Sequence, residues 1–392
     1  MRKAQPAASQ TMIWSLVRRA HASANRNPGK LFLIGLAGVV AYNWRQWQRD
    51  KALAARLRSA RTPIPKLSRT PKVSALVAAW NEHDHIDAHI RSFLALTYPD
   101  IELILCAGGD DDTLERARRY ASERVIVLEQ HPGEGKQRAL ARCLEHASGE
   151  LIYLTDADCL YDDEALTRLL AVLINEREVA VTGRFAPLPT QRTHPFICNQ
   201  WAVDTYARAR SGAYIRGLIG RNAALIRTAL IESRALEAVV PIGTDYYLAK
   251  RLIAQGQRIR YVHDSIVATH YHAQIRPYMR QQTRWLRNVV VHGRRFGAYD
   301  EVTSAIRNCG IGAMATGMSL LWPFLGSLAL AVWLVIFVFV TVNRIRYLNF
   351  TQECGQHMPQ SAYTTAPIYA VLDLYTLASA GLDMLLRRRD RW

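Results

Sequence analysis

Cysteine is scarce and unclustered in this chain. Cys106, Cys143, Cys159, Cys198, Cys309 and Cys354 are all there is in 392 residues, with no CxxC pair and no zinc-ligand spacing. That pattern argues against a disulfide framework or a structural zinc site and suits a reduced, cytoplasmic body. Acidic residues are also outnumbered, 33 Asp and Glu against 50 Lys and Arg, for a formal charge of +17. In one stretch charge is missing altogether: from Ile311 to Val342 the chain reads IGAMATGMSLLWPFLGSLALAVWLVIFVFVTV. A helix crosses a bilayer with about 20 apolar residues, so this run is long enough to enter a membrane.

The basic residues gather beside apolar runs. Arg45, Arg49, Lys51, Arg56, Arg58 and Arg61 follow the segment Leu31–Trp44, and RRRDR (Arg387 to Arg391) follows Ala366–Leu386. Positive charge flanking apolar segments is the membrane pattern, so a membrane, and no nucleic acid, is the expected partner. Leu31–Trp44 is short for a span and is not followed by a small-residue cleavage site, which favours an anchor or interfacial helix. Ala366–Leu386 carries Asp373 and Asp383 and either spans or lies at the interface. Residues 311–342 fit one long tilted span or a hairpin broken near Trp322 and Pro323. The charge rule favours the single span, which together with a return span at 366–386 keeps the basic C-terminus on the cytoplasmic side.

Between these ends lies an alternating pattern. Pro63, Pro65 and Pro71 stop any helix and mark a boundary near residue 71. VSALVAAW, IELILCA, RVIVLEQ and ELIYLTDAD read as strands, each of the first three followed by a helical stretch. Strand and helix in alternation give an α/β fold, a mostly parallel sheet with helices on both faces, joined to transmembrane or interfacial helices at the N- and C-termini. The expected units are 1–70 (anchor and basic linker), 71–274 (the α/β domain), 275–310 (an amphipathic segment) and 311–392 (the C-terminal membrane region).

Such sheets bind ligands at the carboxyl ends of their strands. There the sequence places Asp156 and Asp158, two carboxylates one residue apart, suited to the hard-oxygen chemistry of Mg2+ or Mn2+. GEGK, ending at Lys136, precedes a helix whose amides and lysine can meet phosphate, although the P-loop spacing is missing. Thr244 and Asp245 open another helix, where Asp is either a cap or a carboxylate held ionised to act as a base. In QQTRW, Gln281 offers an amide, Arg284 a fork for phosphate or carboxylate and Trp285 a flat apolar face; beside a membrane segment the same residues also serve as an interfacial anchor.

Taken together and in order, VAAWNE (Val77 to Glu82), GKQRAL (Gly135 to Leu140), DAD (156 to 158), GRNAALIR (Gly220 to Arg227), GTD (243 to 245) and QxxRW (Gln281, Arg284, Trp285) make residues 71 to about 290 resemble membrane-bound inverting glycosyltransferases of family 2, the group of cellulose, chitin and hyaluronan synthases. The resemblance implies a GT-A-like fold. It implies Asp245 as the general base, and Asp158 with Asp156 at the metal. For donor binding it implies Ala79, Asn81, Glu82, Asp111, Lys136, Asp156, Gln281 and Arg284, and for acceptor binding Arg221, Asn222, Thr244 and Trp285. Where many members have D-D-G-S after the second strand, this chain has Cys106-Ala107-Gly108-Gly109 followed by Asp110 and Asp111. That departure leaves the nucleotide base open, with UDP favoured over GDP.

The function expected is therefore transfer of a hexose, with inversion, from a nucleotide-sugar donor to a polysaccharide or lipid-linked acceptor at the cytoplasmic face of the plasma or inner membrane. At most about three spans are too few for a pore within one chain, so a polymer product calls for a homo-oligomer or partner subunits. The competing expectation is a membrane-tethered nucleotide-binding scaffold without catalysis of its own.

Overall fold

The computed structural model describes residues 27–59, 63–240 and 242–386. Arg61 and the basic cluster Arg387 to Arg391 lie outside the described residues. Strand β1 (Val73–Trp80) is apolar along its length because it runs through the middle of the sheet, covered on both faces. Parallel neighbours flank it: β2 (Ile101–Gly108) then β3 (Val125–Glu129) on one side, β4 (Leu151–Leu154) on the other. Helices α2 (Ile86–Leu94), α3 (Thr113–Arg118) and α4 (Gly135–His146) connect them, following α1 (Pro28–Ser59) in the chain. Side chains along β1 alternate between two cores. Val73, Ala75 and Val77 meet Ile86, Ile90 and Phe93 of α2 together with Leu166 and Leu169 of α5 (Asp163–Asn175). Leu76 meets Leu140 and Cys143 of α4, with Leu248 and Leu252 of α8 (Thr244–Ala254).

Beyond β4 the sheet continues with β8 (Ala223–Ile226), antiparallel to both β4 and β6 (Ala180–Pro187), then β9 (Ile259–Thr269), parallel to β6. The short strands β5 (Cys159–Leu160) and β7 (Tyr214–Ile215) pair antiparallel with β9. The order β3-β2-β1-β4-β8-β6-β9-β5 reverses direction at the β1/β4 boundary. Loops leaving those two strands must part there, which opens a crevice at their carboxyl ends. Helices α6 (Pro195–Ala209) and α7 (Arg227–Ser233) complete the α/β body.

Four long helices complete the chain: α9 (Ile275–Arg295), α10 (Tyr299–Leu325), α11 (Ser327–Glu353) and α12 (Gln360–Leu385). The single long span expected over 311–342 is not formed. The run breaks at Gly326, whose φ of 82° is a conformation that favours glycine, three residues beyond Pro323. By length and composition α11 and α12 are each capable of crossing a bilayer. They run antiparallel, with Tyr363 bonded to Gln352 at 2.7 Å and Arg344 to Asp373. The stretch after Trp44, expected as a linker, continues as helix to Ser59, because α1 packs along α11: Gly35 against Val335, Tyr42 against Phe339 at 5.6 Å, and Asp50 paired with Arg346 at 3.2 Å.

Candidate active site

Four stretches meet at the crevice. The chain leaves β1 through Asn81 in the left-handed region (φ 59°) and Glu82; it leaves β4 through Asp156 and Asp158; Lys136 opens α4; and Arg221 precedes β8. Asp156 is gripped from both sides, by Lys136 on Oδ1 and by Arg221 Nε at 3.4 Å on Oδ2. The same guanidinium reaches Asp158 at 3.6 Å, while the Thr269 hydroxyl donates to Asp158 at 3.2 Å. Thr155, between strand and aspartates, ties the Arg221 loop down by donating to its carbonyl at 3.0 Å. Burial opposes the charge of Asp156, but Lys136 and Arg221 outweigh it and hold the carboxyl at about 2. At Glu82 burial, with the charges of Asp158 and Asp156 added, outweighs Arg221 and Lys136 and pushes the carboxyl up to about 8.

Asp156 and Asp158 present carboxylate oxygens side by side at the mouth of the crevice. Hard oxygen donors of this kind fit Mg2+ or Mn2+. Among the described residues no group of three or more His, Cys, Asp or Glu side chains converges as a complete ligand set.

Asp245 stands on the other side of Lys136. It lies in the first turn of α8, but the helix is capped by Gly243 (φ 74°) with no side chain, and Asp245 Oδ1 accepts from the Tyr246 amide at 2.8 Å. Its carboxylate is therefore not consumed by a capping role. Gly220 lets it approach: a Cβ there would lie 3.0 Å from the Asp245 Cβ. Lys136 feels both Asp156 and Asp245, whose fields outweigh its burial and raise its pKa. Thr244 is buried beside Asp245, and a small cavity bordered by Lys136, Thr155, Gly220 and Asp245 has Leu154 and Leu248 as its floor.

Arg284 of α9 comes to the same place. Burial and the nearby Arg221 lower its pKa, while Asp156, Asp245 and Asp158 pull the other way, so all five charges share one field. Gln281 and Trp285 flank it on the helix, both half-buried. Two residues that the sequence reading missed seat this helix. Asn288 packs where a Cβ on Gly243 would fall, at 2.6 Å, and His292 bonds the Ile242 carbonyl at 2.8 Å. Their spacing from Arg284, four and eight residues on, places all three on one helical face and was the available signal.

Other expected residues sit differently from their assigned roles. Asn222 is fully buried, accepts from the Tyr153 hydroxyl at 3.1 Å and donates to the Arg184 carbonyl and to Ser265, so it joins β6, β8 and β9 instead of facing an acceptor. Arg221, expected on the acceptor side, lies across the two aspartates. Ala79 is fully buried opposite Ala107, leaving only its backbone for a ligand. Asp111 is bonded by Thr113 in its own loop at 2.6 Å and by His83 of the loop after β1 at 2.8 Å. The glycines that replace the acidic motif have a steric reason. A Cβ on Gly109 (φ 134°) would fall 2.1 Å from the Asn81 amide oxygen, which accepts from Asp110 N at 2.7 Å. His270 and His272, also missed, meet edge to face beside the aspartates, His270 donating its backbone N–H to the Asp158 carbonyl at 3.0 Å.

A parallel sheet with a carboxylate-lined crevice at its switch point, extended by antiparallel strands, defines the GT-A class of transferase. Residues 71–288 match the family described as "Glycosyltransferase like family 2", and the chain belongs to that family. It is 25% identical over 241 residues to an N-acetylglucosaminyltransferase of Azorhizobium caulinodans, covering 56% of this chain and 60% of that protein. It is 23% identical over 210 residues to glycosyltransferase AglE of Haloferax volcanii, covering 51% and 67%. The first curated relatives are spanned over about half of their length, from 42% to 60%. Among solved structures, mannosyltransferase PcManGT from Pyrobaculum calidifontis, in complex with GDP-Man and Mn2+, has the same fold with a TM-score of 0.51 and 17% identity, over 92% of this chain and all of that one.

Proposed function

We propose that this glycosyltransferase moves a hexose, with inversion, from a nucleotide-sugar, UDP-linked in preference to GDP-linked, to a polysaccharide or lipid-linked acceptor at the cytoplasmic face of a membrane. Residues 71–274 carry the chemistry, 275–310 bring QxxRW to it, and the helices on either side hold the domain at the bilayer. The observation that carries the reading is the arrangement of Asp245, Lys136 and Asp156, with Arg284, around one crevice.

Asp156 and Asp158 would hold a divalent cation, which when bound would neutralise charge on the donor diphosphate. Lys136 and Arg284 supply fixed positive charge to the same diphosphate. Asp245 accepts the proton of the acceptor hydroxyl, with Thr244 beside it and Trp285 available to stack on a sugar ring. Direct attack on the anomeric carbon from the face opposite the leaving nucleotide inverts the configuration in one step. A polymer product requires further copies or partner subunits to build a channel.

Nucleotide release by the detergent-purified chain, screened across UDP- and GDP-sugars with Mn2+ or Mg2+, with and without membrane lipid extract, tests the proposal. Metal-dependent release from one donor is expected. Release from none of them would overturn it in favour of the scaffold alternative.

A further inference from the structure

A second cleft lies behind Arg221. That guanidinium sits over the Phe185 ring, 5.3 Å from its centroid, and Phe185 also lines a small cleft with Arg184, Asp204, Thr205 and Arg208. Arg184 and Arg208 are half-buried, and among the described residues neither has an ion-pair partner within 4 Å. Two half-buried guanidinium groups that share one carboxylate, Asp204, leave positive charge for a further anion. A second, independent sign is Tyr261. It is 3% exposed, its hydroxyl has no hydrogen-bond partner, and both arginines are within electrostatic reach of it. A buried hydroxyl of that kind awaits a ligand oxygen. Asp204 is the one carboxylate lining this cleft; burial raises its pKa against Arg208 and Arg221, and its Oδ2 accepts from Tyr271 at 2.9 Å.

The location narrows the anion. Asp204 and Arg208 belong to α6, the helix on which α11 and α12 dock: Asn199 donates to the Ala362 carbonyl at 2.9 Å, Arg344 donates to the Asn199 carbonyl at 3.3 Å, and Tyr206 stacks on Tyr347. Arg184 reaches electrostatically as far as Cys354, in the turn between α11 and α12. The cleft therefore stands between the apolar helices and the crevice, one aromatic ring from the aspartates. We propose that Arg184, Arg208 and Tyr261 bind the phosphate or diphosphate group of a lipid-linked acceptor whose chain remains in the bilayer. The inference rests on the transferase reading above and selects its lipid-linked branch.

The test is binding to the detergent-purified full chain without donor, by native mass spectrometry, of a polyprenyl phosphate, the corresponding polyprenol and inorganic pyrophosphate. Polyprenyl phosphate is expected to bind at least tenfold more tightly than polyprenol. Arg184→Gln and Arg208→Gln each remove that preference, Arg208→Lys keeps part of it, and Tyr261→Phe, which deletes only an oxygen, weakens it a few-fold. Equal affinity for the two lipids, or unchanged binding in the Gln variants, would overturn the proposal. Tighter binding of pyrophosphate than of the phosphorylated lipid would overturn the lipid assignment in favour of a soluble anion. Because no donor is present, failure here is separate from failure of the nucleotide-release assay, which tests the transferase itself.

Discussion

At the scale of the residue, Asp245 is the most exacting position. Its carboxylate accepts the Tyr246 amide at 2.8 Å and, among the described residues, has no ion pair within 4 Å, which suits the base role proposed for it. Asp245→Asn keeps shape and hydrogen bonding but removes the basic oxygen. Its transfer rate is expected to fall roughly 10^2- to 10^4-fold with donor affinity retained, measured as turnover beside nucleotide-analogue binding. Asp158→Ala should instead lose the metal-dependent part of donor binding, seen in the same titration with and without Mn2+. Full transfer by Asp245→Asn would remove it as the base. His89 gives a pH prediction of another kind. Its Nδ1 bonds the Cys159 carbonyl at 2.7 Å, its Nε2 has no partner, and complete burial lowers its pKa to about 4. The unfolded chain, with a histidine near 6.5, binds the extra proton first, so the contribution is fully present above 6.5 and is lost as pH falls from 6.5 toward 4. A shift of that size corresponds to about 3 kcal/mol. Thermal melts at pH 7 and pH 5 should show about 2 kcal/mol of this loss, and His89→Gln should flatten that slope.

At the scale of the element, the decisive features are a break and two cross-helix pairs. Gly326 divides what reads as one apolar run into α10 and α11, so the chain turns where the sequence alone suggests it could continue. Asp373, which weakens α12 as a span on composition, is explained by its partners: Arg344 donates from Nε at 2.7 Å and the Tyr278 hydroxyl at 3.0 Å. Tyr278 belongs to α9, the helix of Arg284, so this pair fastens the QxxRW helix to the membrane-type helices. Arg344 is 4% exposed. Asp373→Asn strands its charge and should cost about 3–5 kcal/mol, whereas the double variant Arg344→Met with Asp373→Leu, which removes both charges, should be close to neutral. Melting of the three proteins in one detergent decides this; equal losses in single and double variants would contradict it.

At the scale of the whole molecule, exposed apolar surface is concentrated on the terminal helices: Ile34 at 69%, Leu320 at 70%, Phe324 at 86% and Leu385 at 81%. Surface of that extent is a liability in water and fits a lipid environment. The protein is expected to stay in the membrane fraction through washes of high salt and alkaline carbonate and to leave it only in detergent. Release by salt alone would indicate a merely electrostatic attachment.

What the sequence by itself determined is local. Periodicity and composition identified the alternating strands and helices, the apolar segments, and the motif residues that meet at the crevice, because strand pattern and turn chemistry act over a few residues. The switch point then follows from the order of the elements, which is why Glu82, Lys136, Asp156 and Asp158 were legible from the motifs they stand in. What only the tertiary structure decided depends on partners far apart in the chain. Arg221 bridges the aspartates although it reads as an acceptor residue. Asn222 is fully satisfied inside the sheet. The helix α1 extends past Trp44 because α11 supports it, and Asn288 and His292 matter because Gly243 and Ile242 fold against them. In each case the side chain's chemistry is plain from the sequence, but its neighbour is set by packing, and a charge or amide has no role until the fold says what it touches.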